Sequence, residues 1–305
     1  MDMEQLPAWL DREAYPFTPR RIDELSVIDE GTGPVVVFSH GTPTWSFEWR
    51  HLIKGLSATH RCIAPDHLGF GLSSRPVDAD YSPEAHAERF GRLIEELKLE
   101  RYTLVVHDFS GPIALDSALA HPERIERLVV LNSIAWPFVD DPRMKKTASW
   151  AEGALFKWAY RNLNMSFVIA RSAWGSAPRP AAIWSHYKAP FTDKDSRERV
   201  LWALAKSLGA STPFFQTLWD RRARLEKTPI HIIWGLADPA FDSAVLQRFR
   251  HAWPHASVTE LPKAGHWPHE EEPALCLEVL RAFLEGRSLA EADQIESAPA
   301  SLSAR

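Results

Sequence analysis

Short apolar runs alternate with amphipathic stretches along most of the chain, and this alternation predicts a sheet covered by helices. The run at residues 35–39 begins with four consecutive apolar residues, as expected for a parallel strand that is covered on both faces. The spacing of Phe90, Leu93 and Ile94 is close to 3.6 residues per turn and predicts a helix that begins at Pro83. The predicted strands are residues 21–30, 35–39, 61–66, a run from 102 that ends at an acid at 108, 125–131, 229–234 and 257–261. The pattern therefore predicts an α/β fold with a mainly parallel sheet.

The alternation stops between residues 134 and 213, where the pattern becomes helical, aromatic and interrupted by prolines. Seven of the 13 tryptophans fall between residues 134 and 220. We therefore predict a helical cap at residues 134–213, inserted into a core formed by residues 14–133 and 214–287. Residues 288–305 are rich in Ser, Ala and Glu without periodicity, and we expect this tail to be disordered.

The charge of the chain narrows the classes of partner. The 305 residues carry a formal net charge of −5 and a pI near 6.2, and both signs are interspersed. No basic surface for nucleic acid is therefore predicted. We expect a small apolar organic substrate and water as the partners, while the sequence leaves the oligomeric state open.

The N-terminal residues and the cysteines indicate the compartment. Asp2 and Glu4 stand where a signal peptide would be basic, and no window resembles a membrane span, so we expect a cytoplasmic protein without membrane contact. Cys62 lies in a predicted strand and Cys276 in a predicted helix. Two such cysteines favour buried thiols over a disulfide framework or a metal site.

The run from Tyr102 ends abruptly at Asp108 and is followed at once by small residues and a helical pattern. A strand that turns sharply into a helix leaves one side chain at the tip of the turn, and the next positions must be small for close packing. One interpretation makes Asp108 a nucleophile that attacks carbon and forms an alkyl ester. The other makes Asp108 a cap for a helix that begins near Ser110. This stretch alone leaves both open.

Asp108, Asp238 and His266 each stand at the end of a predicted strand, in the order nucleophile, acid, histidine. Triads on α/β-hydrolase sheets use this order, and open α/β sheets place their chemistry at these strand ends. His266 would deprotonate the water that hydrolyses the ester, and Asp238 would orient its imidazole. His269 is a rival histidine, but His266 directly follows a glycine in its turn. Asn132, at the other position available to the acid, supplies no charge, which favours Asp238.

The backbone N–H groups of Thr42 and Phe109 are the expected oxyanion donors. Thr42 lies in a glycine-containing loop after the strand at 35–39, and Phe109 directly follows the nucleophile. Donors at these two places point at the oxygen on which negative charge develops. We therefore predict that both groups form the oxyanion hole.

Several motifs together resemble those of the haloalkane dehalogenases, over roughly residues 14–285. They are HGTPTWSF at 40–47, DHLGFGLSSRP at 66–76, HD at 107–108, Asn132, HYKAPF at 186–191 and AGH at 264–266. The resemblance implies an α/β-hydrolase fold, an Asp-His-Asp triad under a helical cap, no cofactor, and hydrolysis of a carbon–halogen bond to an alcohol and a halide. An acid at Asp238 resembles the branches of that family with Asp there, one of which is also similar to β-lactone-cleaving enzymes of olefin synthesis.

Two positions depart from the family pattern. The residue after the nucleophile, usually Trp, is Phe109, and the residue after His-Gly, usually Asn or Glu, is Thr42. In the dehalogenases the indole N–H and a second donor hold the departing halide, so the resemblance places Thr42 and Phe109 at the substrate. One lost donor aimed at developing charge costs on the order of 3 kcal/mol. The covalent machinery is therefore predicted to be intact while the leaving-group site is altered. Ser110 stands where glycine is commoner.

Four aromatic residues of the predicted cap region are further candidates for substrate contact. Trp136 and Trp174 are candidates for lining the cavity and replacing the missing N–H; the alternative is packing within the cap core, where aromatic residues dominate. The hydroxyls of Tyr160 and Tyr187 are candidates for polarising an epoxide oxygen, as paired cap tyrosines do in the related epoxide hydrolases. Tyr187 lies in a dehalogenase-like motif, which weakens that idea.

Three functional hypotheses follow from these residues. The first is a haloalkane dehalogenase-like hydrolase that forms a covalent ester at Asp108. The second keeps the same triad but opens an epoxide or a lactone. The third is a non-catalytic member of the fold that binds an apolar ligand, and it expects one member of the triad to be displaced or blocked.

Overall fold

The computed structural model describes residues 6–287, and eight strands form one sheet within that range. The strands are β1 (Arg20–Ile22), β2 (Leu25–Glu30), β3 (Val35–Ser39), β4 (Arg61–Pro65), β5 (Tyr102–Asp108), β6 (Ile125–Ser133), β7 (Ile230–Gly235) and β8 (Ser257–Leu261). Their order across the sheet is β1-β2-β4-β3-β5-β6-β7-β8. The β1–β2 and β2–β4 pairs are antiparallel, and all other neighbours are parallel. The predicted mainly parallel sheet is confirmed.

The helices of the described residues lie between these strands and after the last one. They are α1 (Arg50–Leu56), α2 (Pro83–Glu96), α3 (Ser110–Ala120), α4 (Pro142–Ala151), α5 (Ala154–Leu163), α6 (Met165–Ser172), α7 (Ala181–Lys188), α8 (Lys194–Ser196), α9 (Ala203–Ala210), α10 (Thr212–Asp220), α11 (Ser243–Ala252), α12 (Pro268–Glu271) and α13 (Pro273–Leu284). Short 3₁₀ segments occur at Ser46–Trp49, Pro122–Arg124, Phe138–Asp140, Ala189–Phe191 and Arg222–Leu225, and a π-helical segment, Arg197–Trp202, joins α8 to α9. Over residues 6–287 no helix has both the length and the apolar character needed to cross a membrane.

The central strands are buried because helices cover both faces of the sheet. All seven residues of β5 and all six of β7 are buried, which explains why their sequences are apolar runs without alternation. The parallel strands β3, β5, β6 and β7 end at the same edge of the sheet, because parallel strands run in one direction. The predicted site residues therefore come from one edge.

α4 to α10 lie between β6 and β7, where the strand–helix alternation was predicted to stop. α4 packs on α9, and α5 packs on the π-helical segment. α10 crosses the predicted cap boundary at residue 213 and contacts both α9 and α3. The division into a core at 14–133 and 214–287 and a cap at 134–213 stays a prediction, and the predicted disordered tail at 288–305 lies outside the described residues.

The predicted strand at 21–30 is wrong as a single element. The structure divides it into β1 and β2, which form an antiparallel hairpin with Asp23 at the turn. Asp23 has a φ of 49°, in the left-handed region that Asp tolerates better than most residues. The signal was the Asp23-Glu24 pair inside an otherwise strand-like run, because Asp is common in tight turns.

Candidate active site

Asp108 ends β5 at the tip of a sharp turn into α3. Its φ is 52°, a left-handed conformation that a residue with a side chain keeps only when its surroundings hold it there. A Cβ at Gly41 would lie 2.5 Å from the Cβ of Asp108, and a Cβ at Gly111 would lie 2.1 Å from Oγ of Ser133. Both positions therefore require glycine, because the chain around the turn is packed this closely.

Ser110 stabilises the same turn from inside the core. Its hydroxyl oxygen accepts a hydrogen bond of 2.7 Å from the N–H of His107. The same oxygen lies 2.6 Å from the carbonyl oxygen of Ser39 and 2.8 Å from that of His107, and donates its hydrogen there. Ser110 thus joins the ends of β3 and β5, which glycine at this position cannot do.

The carboxylate of Asp108 is oriented by two different groups. Oδ1 accepts a hydrogen bond of 2.8 Å from the backbone N–H of Thr42, and Oδ2 lies 3.3 Å from Nε2 of His266. The N-cap residue of α3 is Phe109, whose side chain makes no capping hydrogen bond, and Oδ1 of Asp108 is bonded to Thr42 instead. The interpretation of Asp108 as a helix cap is therefore wrong.

His266 lies between two carboxylates. Its Nδ1 is 2.6 Å from Oδ2 of Asp238, and its Nε2 faces Asp108. Asp108, Asp238 and His266 are all at most 6% exposed, so water screens their charges weakly. His269 instead lies 3.9 Å from Glu48. The structure thus brings together the three residues singled out from the sequence, and none of them is displaced as the non-catalytic hypothesis expects.

Asn132 holds Asp238 in place, a role that the sequence reasoning missed. Its Nδ2 donates to Oδ2 of Asp238 over 3.0 Å and to the carbonyl of Gly235 over 3.1 Å, while its Oδ1 accepts from the N–H of Gly235 over 2.8 Å. The other oxygen of Asp238 accepts hydrogen bonds from the N–H groups of Ala240 and Phe241. The amide at 132 therefore links the ends of β6 and β7 and leaves Asp238 as the carboxylate at His266.

Opposite charges set the protonation of His266 and Asp238. Burial alone would lower the pKa of His266, but Asp238 and Asp108 raise it to about 10. Burial alone would raise the pKa of Asp238, yet His266 and the two backbone N–H groups bring it below its usual value. A protonated imidazole between two carboxylates is the favoured resting state, because each charge is stabilised by its neighbours.

The side chain at 109 supplies an apolar wall rather than a donor. Phe109 is buried and stacks on Phe138, with ring centroids 6.2 Å apart. Phe241 lies 5.3 Å from the ring of His266. The Oγ1 of Thr42 is buried without a hydrogen-bond partner among the described residues, and the backbone N–H of the same residue contacts Asp108.

Trp136 and Trp174 make packing contacts of different kinds. The ring of Trp136 lies against Trp219 of α10 and Phe249 of α11, with centroids 4.9 and 4.8 Å away. These contacts support the packing alternative. The Nε1–H of Trp174 donates to the carbonyl of Ala177 over 3.1 Å. That N–H is already used and does not replace the donor missing at 109.

The two cap tyrosines differ in their surroundings. Tyr187 donates its hydroxyl hydrogen to Glu270, which also pairs with the buried Arg50. Tyr160 is buried, and the pKa of its hydroxyl is raised by burial first and also by the charge of Asp108. The Tyr160 hydroxyl bonds to Ser166 and lies within electrostatic range of Asp108, whereas the Tyr187 hydroxyl donates to Glu270.

Glu271 organises the loop that carries His266. Its two oxygens accept hydrogen bonds from the N–H of Gly265 and the N–H of Gly175, over 2.9 and 2.8 Å. Burial raises the pKa of this carboxyl to about 7. The neighbouring Glu270 also forms buried contacts, with Arg50 and Tyr187.

Comparisons with known proteins agree with this architecture. The family model described as the α/β hydrolase fold matches residues 34–273. The chain is 35% identical to a cis-3-alkyl-4-alkyloxetan-2-one decarboxylase from Xanthomonas campestris, over 90% of this chain and 98% of that protein. It is 34% identical to a haloalkane dehalogenase from Mycobacterium tuberculosis, over 86% of this chain and 93% of that protein. The chain belongs to the haloalkane dehalogenase family of α/β hydrolases.

The fold of this α/β hydrolase also matches a solved structure. A loop variant of a haloalkane dehalogenase from Bradyrhizobium elkanii superposes with a TM-score of 0.76 at 22% identity, over 88% of this chain and 95% of that one. At this identity the match supports the fold alone. The predicted fold class, family and enzyme class are therefore confirmed.

Proposed function

We propose that this α/β hydrolase uses Asp108 as a nucleophile and forms a covalent alkyl ester with its substrate. The arrangement of the Asp108 carboxylate carries the proposal. Oδ1 is bound by the N–H of Thr42, while Oδ2 faces His266 and is the oxygen available for attack. A carboxylate held in this way displaces a leaving group from an alkyl carbon, and the leaving group departs with the electron pair of its bond.

His266 acts in the second half of the reaction. Its Nε2 takes a proton from water, and the resulting hydroxide attacks Cγ of the Asp108 ester. The N–H of Thr42 stabilises the negative oxygen of the tetrahedral intermediate, and the N–H of Phe109 is the expected second donor. Collapse of the intermediate releases the alcohol and restores the carboxylate.

Ester formation converts His266 from an acid into a base. In the free enzyme the charges of Asp238 and Asp108 both raise the pKa of His266. Esterification removes the charge of Asp108, so the pKa of the imidazole falls. The histidine then releases its proton to solvent and can take another from the hydrolytic water, while Asp238 keeps the ring oriented.

Carbon–halogen bonds are the first candidate for the bond that is cleaved. The motifs of the chain and its dehalogenase relative support this substrate class. Bromide release from 1,2-dibromoethane and 1-bromobutane tests it, with Asp108→Ala as the inactive variant and Asp116→Asn, a change to a partly exposed acid on α3, as the matched control. Release by wild type and Asp116→Asn, but not by Asp108→Ala, is expected; silence across a panel of bromides and iodides would contradict it.

The nucleophile itself is identified by a trapped intermediate. His266→Gln cannot deprotonate water, so the ester should accumulate after incubation with 1-bromobutane. Mass spectrometry should place one butyl group on the peptide that contains Asp108. An adduct on another residue, with Asp108 unmodified, would disprove the assignment.

A strained oxygen ring is the second candidate substrate. The ring of Phe109 has no polar hydrogen, the indole N–H of Trp174 is used by Ala177, and one relative is an oxetan-2-one decarboxylase that matches 90% of this chain. An oxygen leaving group needs a hydrogen-bond or proton donor instead of a halide site, and Tyr160 is within electrostatic range of Asp108. Consumption of a cis-3,4-dialkyl oxetan-2-one by protein that is silent on bromoalkanes would select this candidate.

A further inference from the structure

A buried cluster of Glu48, His107 and His269 lies directly behind the candidate active site. All three side chains are completely or almost completely inaccessible to water. Glu48 belongs to the 3₁₀ segment Ser46–Trp49, His107 precedes the nucleophile on β5, and His269 lies on α12. None of them takes part in the proposed reaction, and an ionisable carboxylate at this depth needs a compensating charge.

The hydrogen bonds of His107 fix where its protons are. Its Nε2 lies 2.8 Å from the carbonyl oxygen of His266, and a carbonyl only accepts, so Nε2 carries a hydrogen. Its Nδ1 lies 3.3 Å from Oε1 of Glu48, and two lone pairs do not face each other without a proton between them. The pKa of Glu48 is held well below its usual value: burial opposes this shift, and the charges and hydrogen bonds of the two histidines overcome it. The imidazole of His107 therefore bridges the Glu48 carboxyl group and the His266 carbonyl, with its Nε2–H on the carbonyl.

This pair controls one peptide group of His266. The carbonyl of His266 accepts from His107, and the N–H of His266 donates to the carbonyl of Ala173 over 2.8 Å. The backbone of His266 is thereby fixed on both sides. The side chain must also reach Asp238 at 2.6 Å and face Asp108 at 3.3 Å, so a small shift of its backbone misplaces the base.

We propose that Glu48 and His107 form a buried positioning pair that holds the backbone of His266 in register for hydrolysis of the ester. Glu48 orients the His107 ring through its contact with Nδ1, and His107 Nε2–H holds the His266 carbonyl. The proposal rests on the proposed role of Asp108 and His266. Glu48 and His107 are positioning residues, because they act through His266 and do not touch the substrate.

The pair predicts a selective kinetic defect. Attack by Asp108 on a bromoalkane does not need His266, whereas hydrolysis of the ester does. In Glu48→Leu the burst of bromide from 1-bromobutane should keep its wild-type rate. The butyl ester on Asp108 should hydrolyse about ten- to a hundredfold more slowly, because small misplacements of a catalytic group have effects of this size. Glu48→Gln should restore most of the hydrolysis rate, because its amide N–H donates to Nδ1 of a neutral His107 and leaves Nε2–H on the His266 carbonyl.

Asp66→Asn is the matched control for loss of a buried carboxylate. Asp66 is fully buried, and its Oδ1 accepts from the N–H of Ser46, in the same 3₁₀ segment that carries Glu48. This variant should lower the melting temperature without slowing ester hydrolysis selectively. The proposal would be overturned if alkylation and ester hydrolysis in Glu48→Leu slowed equally and in proportion to its fall in melting temperature. It would also be overturned if Glu48→Leu hydrolysed the ester at the wild-type rate.

Histidine-ring NMR tests the pair without substrate. Wild-type protein at neutral pH should show a hydrogen-bonded Nε2–H on His107 and a downfield Nδ1–H signal from His266 bonded to Asp238. The His266 signal should broaden in Glu48→Leu and persist in Glu48→Gln and Asp66→Asn. A His107 without a hydrogen on Nε2 in the wild type overturns the proposal. Failure of the proposed function shows itself differently, as absence of any ester on Asp108 in wild type and His266→Gln.

A metal ion is the competing occupant of the same cluster. The ligand atoms of Glu48, His107 and His269 all lie within 4.8 Å of one another, and two imidazoles with a carboxylate suit Zn²⁺. A metal on Nδ1 of His107 would interrupt the direct contact with Glu48 on which the pair depends. Elemental analysis of the purified protein should therefore find no stoichiometric metal. If the wild type contained one equivalent of metal and Glu48→Gln contained none, the cluster would be a metal site and the proposed positioning pair would be wrong.

Discussion

The backbone N–H of Thr42 donates a hydrogen bond of 2.8 Å to Oδ1 of Asp108. This bond makes the two oxygens of the carboxylate unequal, because Oδ1 is bound while Oδ2 faces His266 at 3.3 Å. In the proposed reaction, attack through Oδ2 makes Oδ1 the carbonyl oxygen of the ester and then the negative oxygen of the tetrahedral intermediate. The proposal therefore gives this N–H two tasks, to orient the nucleophile in the first step and to stabilise charge in the second.

Exchanging the residues at 132 and 238 tests which of them supplies the charge to His266. Asp238→Asn removes the carboxylate bonded to Nδ1, and by comparison with a serine-hydrolase triad we expect ester hydrolysis to slow by on the order of 10⁴-fold. The double variant Asn132→Asp with Asp238→Asn returns a carboxylate to a position whose amide nitrogen is 3.0 Å from Oδ2 of Asp238, and should recover part of the rate. Pre-steady-state halide and alcohol release measure both effects.

Asn132→Asp alone is the control for that exchange. It places two carboxylates side by side, and their repulsion should destabilise the fold and raise the pKa of one of them. A double variant no faster than Asp238→Asn would show that a carboxylate at 132 cannot reach His266 in this chain.

The stability of the fold should depend on pH through His266. Its pKa rises from 6.5 to about 10 on folding, so the stabilisation from its protonated form is fully present below pH 6.5 and is lost as the pH rises to about 10. The difference in unfolding free energy between wild type and His266→Gln should therefore shrink across that window. Urea titrations at several pH values measure it. If the unfolding free energies of wild type and His266→Gln differed by the same amount from pH 6.5 to 10, the raised pKa of His266 would be contradicted.

Asp238 should act in the opposite direction at low pH. Its pKa is lowered from 3.8, so its contribution is present above pH 3.8 and is lost as the pH falls through the lowered value.

Ser110 should stabilise the turn although glycine is commoner at this position in the family. Its buried hydroxyl bonds the N–H of His107 and two carbonyl groups. Ser110→Ala removes these bonds inside the core, and we expect a loss of about 1–3 kcal/mol in unfolding free energy. Ser172→Ala, which removes an exposed hydroxyl at the end of α6, should change it by less than about 0.5 kcal/mol. Equal effects of the two changes would mean that the Ser110 bonds add nothing.

The order of apolar and polar residues in the sequence made some of these features predictable and left others unpredictable. Asp108, Asp238 and His266 follow apolar strands, and parallel strands end at one edge of the sheet, so their proximity followed from the pattern. The sequence could not predict where the side chains of Trp136 and Trp174 point, because an aromatic residue in a helical segment is compatible with a cavity wall and with a packed core. The bonds of Glu271 were hidden too, since its partners, Gly265 and Gly175, come together only in the folded chain.

The last prediction concerns the leaving-group site. Phe109→Trp should place an indole N–H after the nucleophile, and Thr42→Asn should add an amide donor where the Oγ1 of Thr42 is buried without a partner. Two donors that contact one halide act together, so the double variant should release bromide faster than either single variant, by more than the product of their effects. Steady-state bromide release from 1-bromobutane measures all four proteins.

The opposing effect is steric, and it decides how the result is interpreted. Phe109 is 6% exposed and stacks on Phe138, so an indole at 109 is expected to cost about 1–3 kcal/mol of stability through overpacking. Circular dichroism and urea unfolding show whether the double variant is folded. A folded double variant without a gain in bromide release would mean that the site is shaped for another leaving group, and the oxygen-ring substrate would then become the better assignment.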